Sequence, residues 1–123
     1  GLMEWFLAQG GKTIRGFARA IYTGFTTIEM TRIVDKVIRE HPDLRGVYQV
    51  ASAPVSKYDL LCLANDLWDL GVGIEKDESV AIDRSLRMDR FAEATGYRAP
   101  TWREMLTELR DDPTPYEAWH GTE

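Results

Sequence analysis

The stretch LAQGGKTIRGF, near the N-terminus, has the residue types of a phosphate-binding turn. Gly10 to Thr13 spell Gly-Gly-Lys-Thr, the end of a P-loop, in which glycine N–H groups and a lysine hold phosphate. A P-loop needs a further glycine at position 6, where this chain has Phe6, and it needs a strand before the turn and a helix after it. The apolar spacing predicts the reverse order, so we interpret Gly10 and Gly11 as a helix end and a turn.

Histidine, cysteine and serine residues give no catalytic or metal-binding pattern. His41 and His120 are far apart in sequence, and the single cysteine, Cys62, falls in a predicted helix. Its surroundings favour a small buried apolar residue over a reactive thiol. The serines lack the Gly-x-Ser-x-Gly context of a hydrolase nucleophile. Spacing alone therefore predicts no metal and no catalytic residue.

The composition is that of one ordinary globular domain. The 123 residues are 44% hydrophobic and 28% charged, and a chain of this length can bury a core without disulfides. The net charge of -5 and the scattered distribution of 15 basic residues argue against nucleic acid as a partner. One cysteine and no long apolar run favour a cytoplasmic protein without a membrane partner. The chain begins inside an amphipathic element, so we expect a piece of a longer protein.

The pattern predicts helices that alternate with short strands. Helices are expected at residues 2–9, 26–40, 56–70, 87–95 and 101–110, and strands at 13–17, 20–25, 46–52, 74–75 and 80–82. The second helix carries an apolar face of Met30, Ile33, Val34, Val37 and Ile38. The helix caps expected are Thr26 with Glu29, Ser56 with Asp59, and Thr101 with Glu104, and Gly96 ends the fourth helix. Residues 111–123 are expected to form a loosely ordered tail.

Several weak motifs occur in a recognisable order. They are GFTT at residues 24–27, GVYQV at 46–50, SKYDL at 56–60, RSL at 84–86 and TGYRAPTW at 95–102. Together they make residues 1–110 resemble the C-terminal part of extended short-chain dehydrogenases/reductases, in the NAD-dependent epimerase/dehydratase superfamily. Among these the chain is most similar to sugar-nucleotide reductases of the dTDP-4-dehydrorhamnose reductase type.

The resemblance implies an α/β fold. This would be the C-terminal substrate-binding lobe of a Rossmann-type enzyme, with about five helices and short strands in a small mixed sheet. In the family, an N-terminal Rossmann half binds NAD(P) through a glycine-rich loop, and a Tyr-x-x-x-Lys pair transfers the proton. No tyrosine of this chain has a lysine four positions later. The missing Rossmann half is thus an expected partner that would bring NAD(P), and the chain alone is expected to be inactive, with no catalytic and no cofactor-binding residue.

The expected ligand is a nucleoside-diphosphate sugar. Arg84 matches an arginine of the family and would hold the diphosphate, because a guanidinium group matches two phosphate oxygens. The alternative is a surface arginine paired with Asp83 or Asp89.

Further substrate-binding candidates follow from the same resemblance. Tyr22, Thr26 and Thr27 occupy the turn where the family lines its sugar pocket, although Thr26 is equally explained as a helix cap. Trp5 and Arg15 are weaker candidates, and we favour a core position for Trp5.

Two hypotheses remain at this point. The chain is either the substrate-binding part of an NAD(P)-dependent sugar-nucleotide reductase or epimerase of deoxysugar and surface-polysaccharide biosynthesis, or a free-standing, non-catalytic module that binds a sugar nucleotide or a protein. The strand at residues 46–51 would join the parallel sheet of a complete enzyme. In an isolated chain it would present an unpaired edge, which favours a homodimer.

Overall fold

The computed structural model of the chain describes residues 2–112, which form five helices and three strands. In chain order the elements are α1 (Leu2–Leu7), β1 (Thr13–Tyr22), α2 (Thr27–Glu40), β2 (Val55–Ser56), α3 (Lys57–Trp68), β3 (Gly73–Asp83), α4 (Asp89–Thr95) and α5 (Trp102–Asp111). The prediction of an α/β fold with about five helices and a small mixed sheet is confirmed. The tail expected at 111–123 lies outside the described residues beyond position 112.

The sheet has the strand order β2-β1-β3. The central strand β1 is antiparallel to β2 and parallel to β3, from Thr13 opposite Gly73 to Ile21 opposite Asp83. The sequence predicted two short strands in the region of β1, at 13–17 and 20–25, and two in the region of β3, at 74–75 and 80–82. This prediction was wrong. Parallel pairing continues through both, with one register shift between Phe17 and Arg19, so each region is a single long strand.

The main core lies between α3 and one face of the sheet, and α1 and α5 complete it. Its buried members are Phe6, Leu60, Leu61, Ala64, Val72 and Leu106. Gly16 lets α3 approach β1 closely, because a Cβ there would lie 2.8 Å from Cδ2 of Tyr58. The core position favoured for Trp5 is wrong: its side chain is 48% exposed, and the neighbouring Phe6 is the buried aromatic residue of α1.

A second core joins α2 to α4. Ile33 packs against Phe91 and Tyr97, and partly buried residues surround them. The apolar face predicted for α2 is only partly covered. Met30, Val34 and Ile38 are 38%, 50% and 68% exposed. The helix is thus amphipathic as expected, but the described part of the chain covers about half of its apolar stripe.

The prediction of a buried strand at residues 46–52 was wrong. The segment is irregular in the structure, and within residues 2–112 no strand pairs with it. Its last residue is held beside β1, since the Ser52 N–H donates to the Thr23 carbonyl at 3.0 Å. The composition is typical of a strand, but regular strand structure requires a neighbouring strand for its N–H and C=O groups.

Candidate functional site

The carboxyl ends of β1 and β3 meet at one edge of the sheet, because these strands are parallel. Ligands of open α/β sheets bind at such edges. Two connections leave it: residues 23–26 lead from β1 into α2, and residues 84–88 lead from β3 to α4. We call residues 22–27 and 84–88 together the strand-end site.

Hydrogen bonds hold the two connections together. The Arg84 N–H donates to the Ile21 carbonyl at 2.8 Å, and the Leu86 N–H donates to the hydroxyl oxygen of Thr23 at 2.9 Å. The Ser52 hydroxyl donates to the Gly24 carbonyl at 2.6 Å. Thr23 and Ser52 are both buried. Sequence reasoning missed these two residues, since nothing local distinguishes them from other small polar residues.

Arg84 extends an exposed side chain from this edge. Asp83 and Asp89, the ion-pair partners considered for Arg84, interact with other residues. Asp89 pairs with Arg87 at 2.8 Å, and hydrogen bonds from the Ser85 hydroxyl and N–H hold the pKa of the Asp83 carboxyl below its usual value. Within residues 2–112 no ion pair or side-chain hydrogen bond is recorded for Arg84. Its guanidinium group can therefore donate hydrogen bonds to a diphosphate without first breaking an ion pair in this part of the chain.

The threonines of the turn lie at the start of α2. The hydroxyl oxygen of Thr26 caps the helix by accepting the Glu29 N–H at 3.2 Å, as the helix-cap interpretation predicts. Thr27 is exposed. Both line a shallow, open groove of about 510 Å³ along α2. The remaining lining residues are Phe25, Met30, Thr31, Val34, Asp35 and Ile38.

Tyr22 packs into the main core. Its ring meets Trp102 edge to face, with 5.7 Å between the ring centroids. Burial raises the pKa of Tyr22 to about 12. The contribution of this packing to stability is enough to account for an aromatic residue at position 22. In the turn, Thr26 and Thr27 therefore remain the candidates for contact with a ligand.

The raised pKa of Tyr22 predicts a loss of stability at high pH. Its usual value is 10.0 and the folded value is about 12, so the unfolded chain releases this proton first as the pH rises. The stability contributed by the neutral phenol is present below pH 10.0 and is lost between pH 10.0 and about 12. Denaturant melts across this range should show a smaller loss for Tyr22→Phe than for the original chain. Equal losses in the two proteins would contradict the assignment.

Arg15 and Trp5 lie away from the strand-end site. Arg15 precedes Tyr22 by seven residues of β1, which is about 23 Å of strand, and its guanidinium is 3.8 Å from Asp77. Trp5 lies on the outer side of α1, where its carbonyl accepts a hydrogen bond from Gln9 at 3.0 Å. Of the six substrate-binding candidates, the fold thus brings the segment from Tyr22 to Thr27 and Arg84 to one edge, and leaves these two elsewhere.

A buried polar network borders the site, and sequence reasoning did not find it. Glu29 is 2% exposed. Its carboxylate accepts a hydrogen bond from the Tyr97 hydroxyl at 2.6 Å and forms an ion pair with Arg32. Arg32 also pairs with Glu108 of α5 at 2.7 Å. The capping box predicted for Thr26 and Glu29 is half formed, because the Glu29 side chain faces Tyr97 instead of the helix end. Burial, followed by the bond to Glu29, raises the pKa of Tyr97.

The element order around the Gly-Gly-Lys-Thr stretch differs from that of a P-loop. The glycine pair at positions 10 and 11 follows the end of α1 and precedes β1, whereas a P-loop joins a strand to a helix. Within residues 2–112 no group of three or more His, Cys, Asp or Glu side chains could hold a metal ion. His41 ends α2 as a polar cap residue, whereas His120 lies outside the described part. Cys62 is half-buried, not buried as expected.

Among the helices of residues 2–112, none has the length and apolar character needed to span a membrane.

Comparison with known proteins gives a likeness of fold. No protein-family model and no curated protein sequence matches the chain. Solved structures do match, among them a dTDP-4-dehydrorhamnose reductase from Bacillus anthracis str. Ames in complex with NADP, with a TM-score of 0.77 and 15% identity over 91% of this chain and 43% of that one. The corresponding reductase from Clostridium acetobutylicum ATCC 824 gives 0.72 and 19%, over 89% and 41%.

A third structure, the Bordetella bronchiseptica enzyme WbmH in complex with NAD+, gives a TM-score of 0.66 and 15% identity over 87% of this chain and 38% of that one. The chain therefore spans about two-fifths of the length of the structures that it matches. Its fold is that of the C-terminal part of the reductase structures, and the resemblance in fold predicted from the motifs is confirmed.

Proposed function

We propose that this chain is the substrate-binding part of an NAD(P)-dependent nucleoside-diphosphate-sugar reductase or epimerase, in the cytoplasmic biosynthesis of deoxysugars and surface polysaccharides. The remaining part of such an enzyme would bind NAD(P) and supply the Tyr-x-x-x-Lys pair. The fold shared with a dTDP-4-dehydrorhamnose reductase solved with NADP, and with an enzyme solved with NAD+, supports this kind of enzyme. The observation that carries the proposal is the position of Arg84 at the strand-end site, with its guanidinium group exposed.

The role of this part is to bind and orient the sugar nucleotide. Arg84 donates two parallel hydrogen bonds to the diphosphate. Thr27 and the first turn of α2 offer N–H and hydroxyl donors beside it, and the positive end of the helix dipole favours a negative ligand there. The link from Arg84 N–H to Ile21 and from Leu86 N–H to Thr23 keeps the two loops in register. Hydride transfer belongs to the other part of the enzyme.

Replacement of Arg84 tests the diphosphate contact. We expect thymidine diphosphate, added to the 123-residue chain, to shift the amide NMR signals of Thr27, Arg84 and their neighbours. In Arg84→Ala the dissociation constant should rise about tenfold or more, because a charge-assisted hydrogen bond contributes about 1.5–3 kcal/mol. Arg39→Ala is the matched control: its side chain is 76% exposed at the far end of α2, and its loss should leave binding unchanged.

Two results would contradict this proposal. Equal binding by Arg84→Ala and Arg39→Ala would mean that net charge alone attracts the ligand. Micromolar binding of NADPH by the isolated chain would overturn the division of labour between the two parts. The free-standing module remains the second candidate, and the apolar face of α2 that residues 2–112 leave uncovered favours an interaction with protein.

A further inference from the structure

Three consecutive backbone N–H groups fix the connection that carries Arg84. Each of them donates a hydrogen bond to an acceptor within the fold. The acceptors are the Ile21 carbonyl for Arg84 at 2.8 Å, the Asp83 carboxylate for Ser85 at 2.9 Å and the Thr23 hydroxyl oxygen for Leu86 at 2.9 Å. Because these backbone donors are used within the fold, this connection approaches a ligand through the guanidinium group of Arg84.

Thr23 differs from the other two acceptors. The carbonyl that Arg84 uses belongs to β1, and the carboxylate that Ser85 uses belongs to β3, the strand that leads into this connection. Thr23 instead lies in the turn that leads into α2, so among these three bonds its hydroxyl is the side-chain group that joins the two connections of the strand-end site. The residue is 4% exposed, and water does not readily replace a hydrogen bond that is buried in this way.

A third segment of the chain fixes Thr23 itself. The Ser52 N–H donates to the Thr23 carbonyl at 3.0 Å, and the Ser52 hydroxyl donates to the Gly24 carbonyl at 2.6 Å. The next residue, Ala53, accepts the indole N–H of Trp102 at 2.9 Å, so α5 holds this segment in turn. The hydroxyl of Thr23 is therefore a fixed anchor for Leu86 and does not simply follow the movement of the connection that it holds.

We propose that Thr23 is a positioning residue for the diphosphate contact, which acts through Arg84 and does not touch the ligand. Its bond to Leu86, two residues after Arg84, keeps the guanidinium group at the same edge of the sheet as the first turn of α2. A group that is already in place loses less conformational freedom when the ligand binds. This inference rests on the proposed function, since it explains how the same site is held ready for its ligand.

Thr23→Val tests this role, because it removes the hydroxyl group and keeps the shape of the side chain. The dissociation constant of thymidine diphosphate should rise about three- to tenfold, since apparent affinity falls with the fraction of molecules in which Arg84 is in place. Thr23→Ser keeps the hydroxyl and should bind as the original chain does. In an Arg84→Ala background, Thr23→Val should weaken binding no further, which a merely structural role of the hydroxyl would not predict.

Thr95→Val is the matched control. Thr95 is also buried, at 8% exposed, and its hydroxyl oxygen also accepts a backbone N–H, that of Tyr97 at 3.2 Å. It is the last residue of α4, at the end of the helix away from the connection that carries Arg84. This variant should bind thymidine diphosphate as the original chain does, and circular dichroism should show the original fold for every variant compared.

Hydrogen exchange of the original chain is a second test, and it decides the question if Thr23→Val does not fold. Coupling between two events is reciprocal, so a ligand held by the positioned Arg84 also stabilises the bond that positions it. Saturating thymidine diphosphate should therefore slow exchange of the Leu86 amide by the same factor of about three to ten. The Tyr97 amide, which is bonded to Thr95, should exchange at an unchanged rate.

Four results would overturn this inference alone, and in all of them Arg84→Ala weakens binding. They are unchanged binding by Thr23→Val, equal weakening by Thr23→Val and Thr95→Val, a full effect of Thr23→Val in the Arg84→Ala background, and exchange of the Leu86 amide that the ligand does not slow. A chain that binds no thymidine diphosphate, or binds it equally well as Arg84→Ala, would overturn the proposed function and this inference with it. The effect of Arg84→Ala thus distinguishes the two failures.

Discussion

Phe6→Ala lowers the free energy of unfolding by about 3–5 kcal/mol, the usual cost of truncating a fully buried phenylalanine. Phe6 is 0% exposed and packs with Leu60, Leu61 and Leu106. Helix α1 has only six residues and would not be stable alone. Leu2 and Met3 also pack against the main core, but Phe6 is the buried residue of α1 and its largest contribution to the attachment of the helix. The variant should lose both the core contacts and the docking of α1.

Chemical denaturation followed by tryptophan fluorescence and circular dichroism measures this effect. Trp5→Ala is the matched control, since it removes a larger aromatic ring from the next position of the same helix. Because that ring is 48% exposed, its loss should cost about 1 kcal/mol or less. If Trp5→Ala were as destabilising as Phe6→Ala, the orientation of α1 described here would be wrong.

Glu29→Ala is expected to cost about 2–3 kcal/mol. The substitution leaves the buried Tyr97 hydroxyl without an acceptor and deprives Arg32 of one of its two carboxylate partners. Arg32 retains Glu108 and is 55% exposed, which keeps the cost below that of a wholly buried ion pair. The loss should also loosen the first turn of α2, where Thr26 and Thr27 lie.

A double-mutant cycle with Tyr97→Phe separates the hydrogen bond from the rest of the network. Tyr97→Phe alone should cost about 1–2 kcal/mol, because it leaves the buried Glu29 carboxylate with one donor fewer. The two costs should add to more than the double variant loses, by about 1 kcal/mol. Strict additivity would show that Glu29 and Tyr97 do not act through their hydrogen bond.

The local parts of this fold could be predicted from the sequence. Ser56 caps α3 by accepting the Asp59 N–H, Thr101 and Glu104 form a complete capping box on α5, and Gly96 ends α4 with a φ of 72°. Each of these signals joins residues at most four positions apart. Chain order and spacing settle such contacts, so patterns of one sequence suffice to find them.

The predictions that were wrong concern groups whose partners are distant in sequence. Glu29 was expected to cap α2, but its carboxylate bonds to Tyr97, which is 68 positions away. Residues 46–52 have the composition of a strand, yet within the described residues no neighbouring strand is present to pair with them. The short strands predicted on either side of position 18 are one strand because β3 continues beside them.

The sequence by itself determined the order of helices and turns, the lack of a P-loop and the candidate arginine. Only the tertiary structure decided that Arg84 and the turn at Tyr22–Thr27 share one edge, since this depends on β1 pairing parallel with a strand that starts at Gly73. It also decided that Phe6 is buried while Trp5 is exposed. Helix and turn signals act over about four residues, whereas burial and strand pairing depend on which distant segments meet.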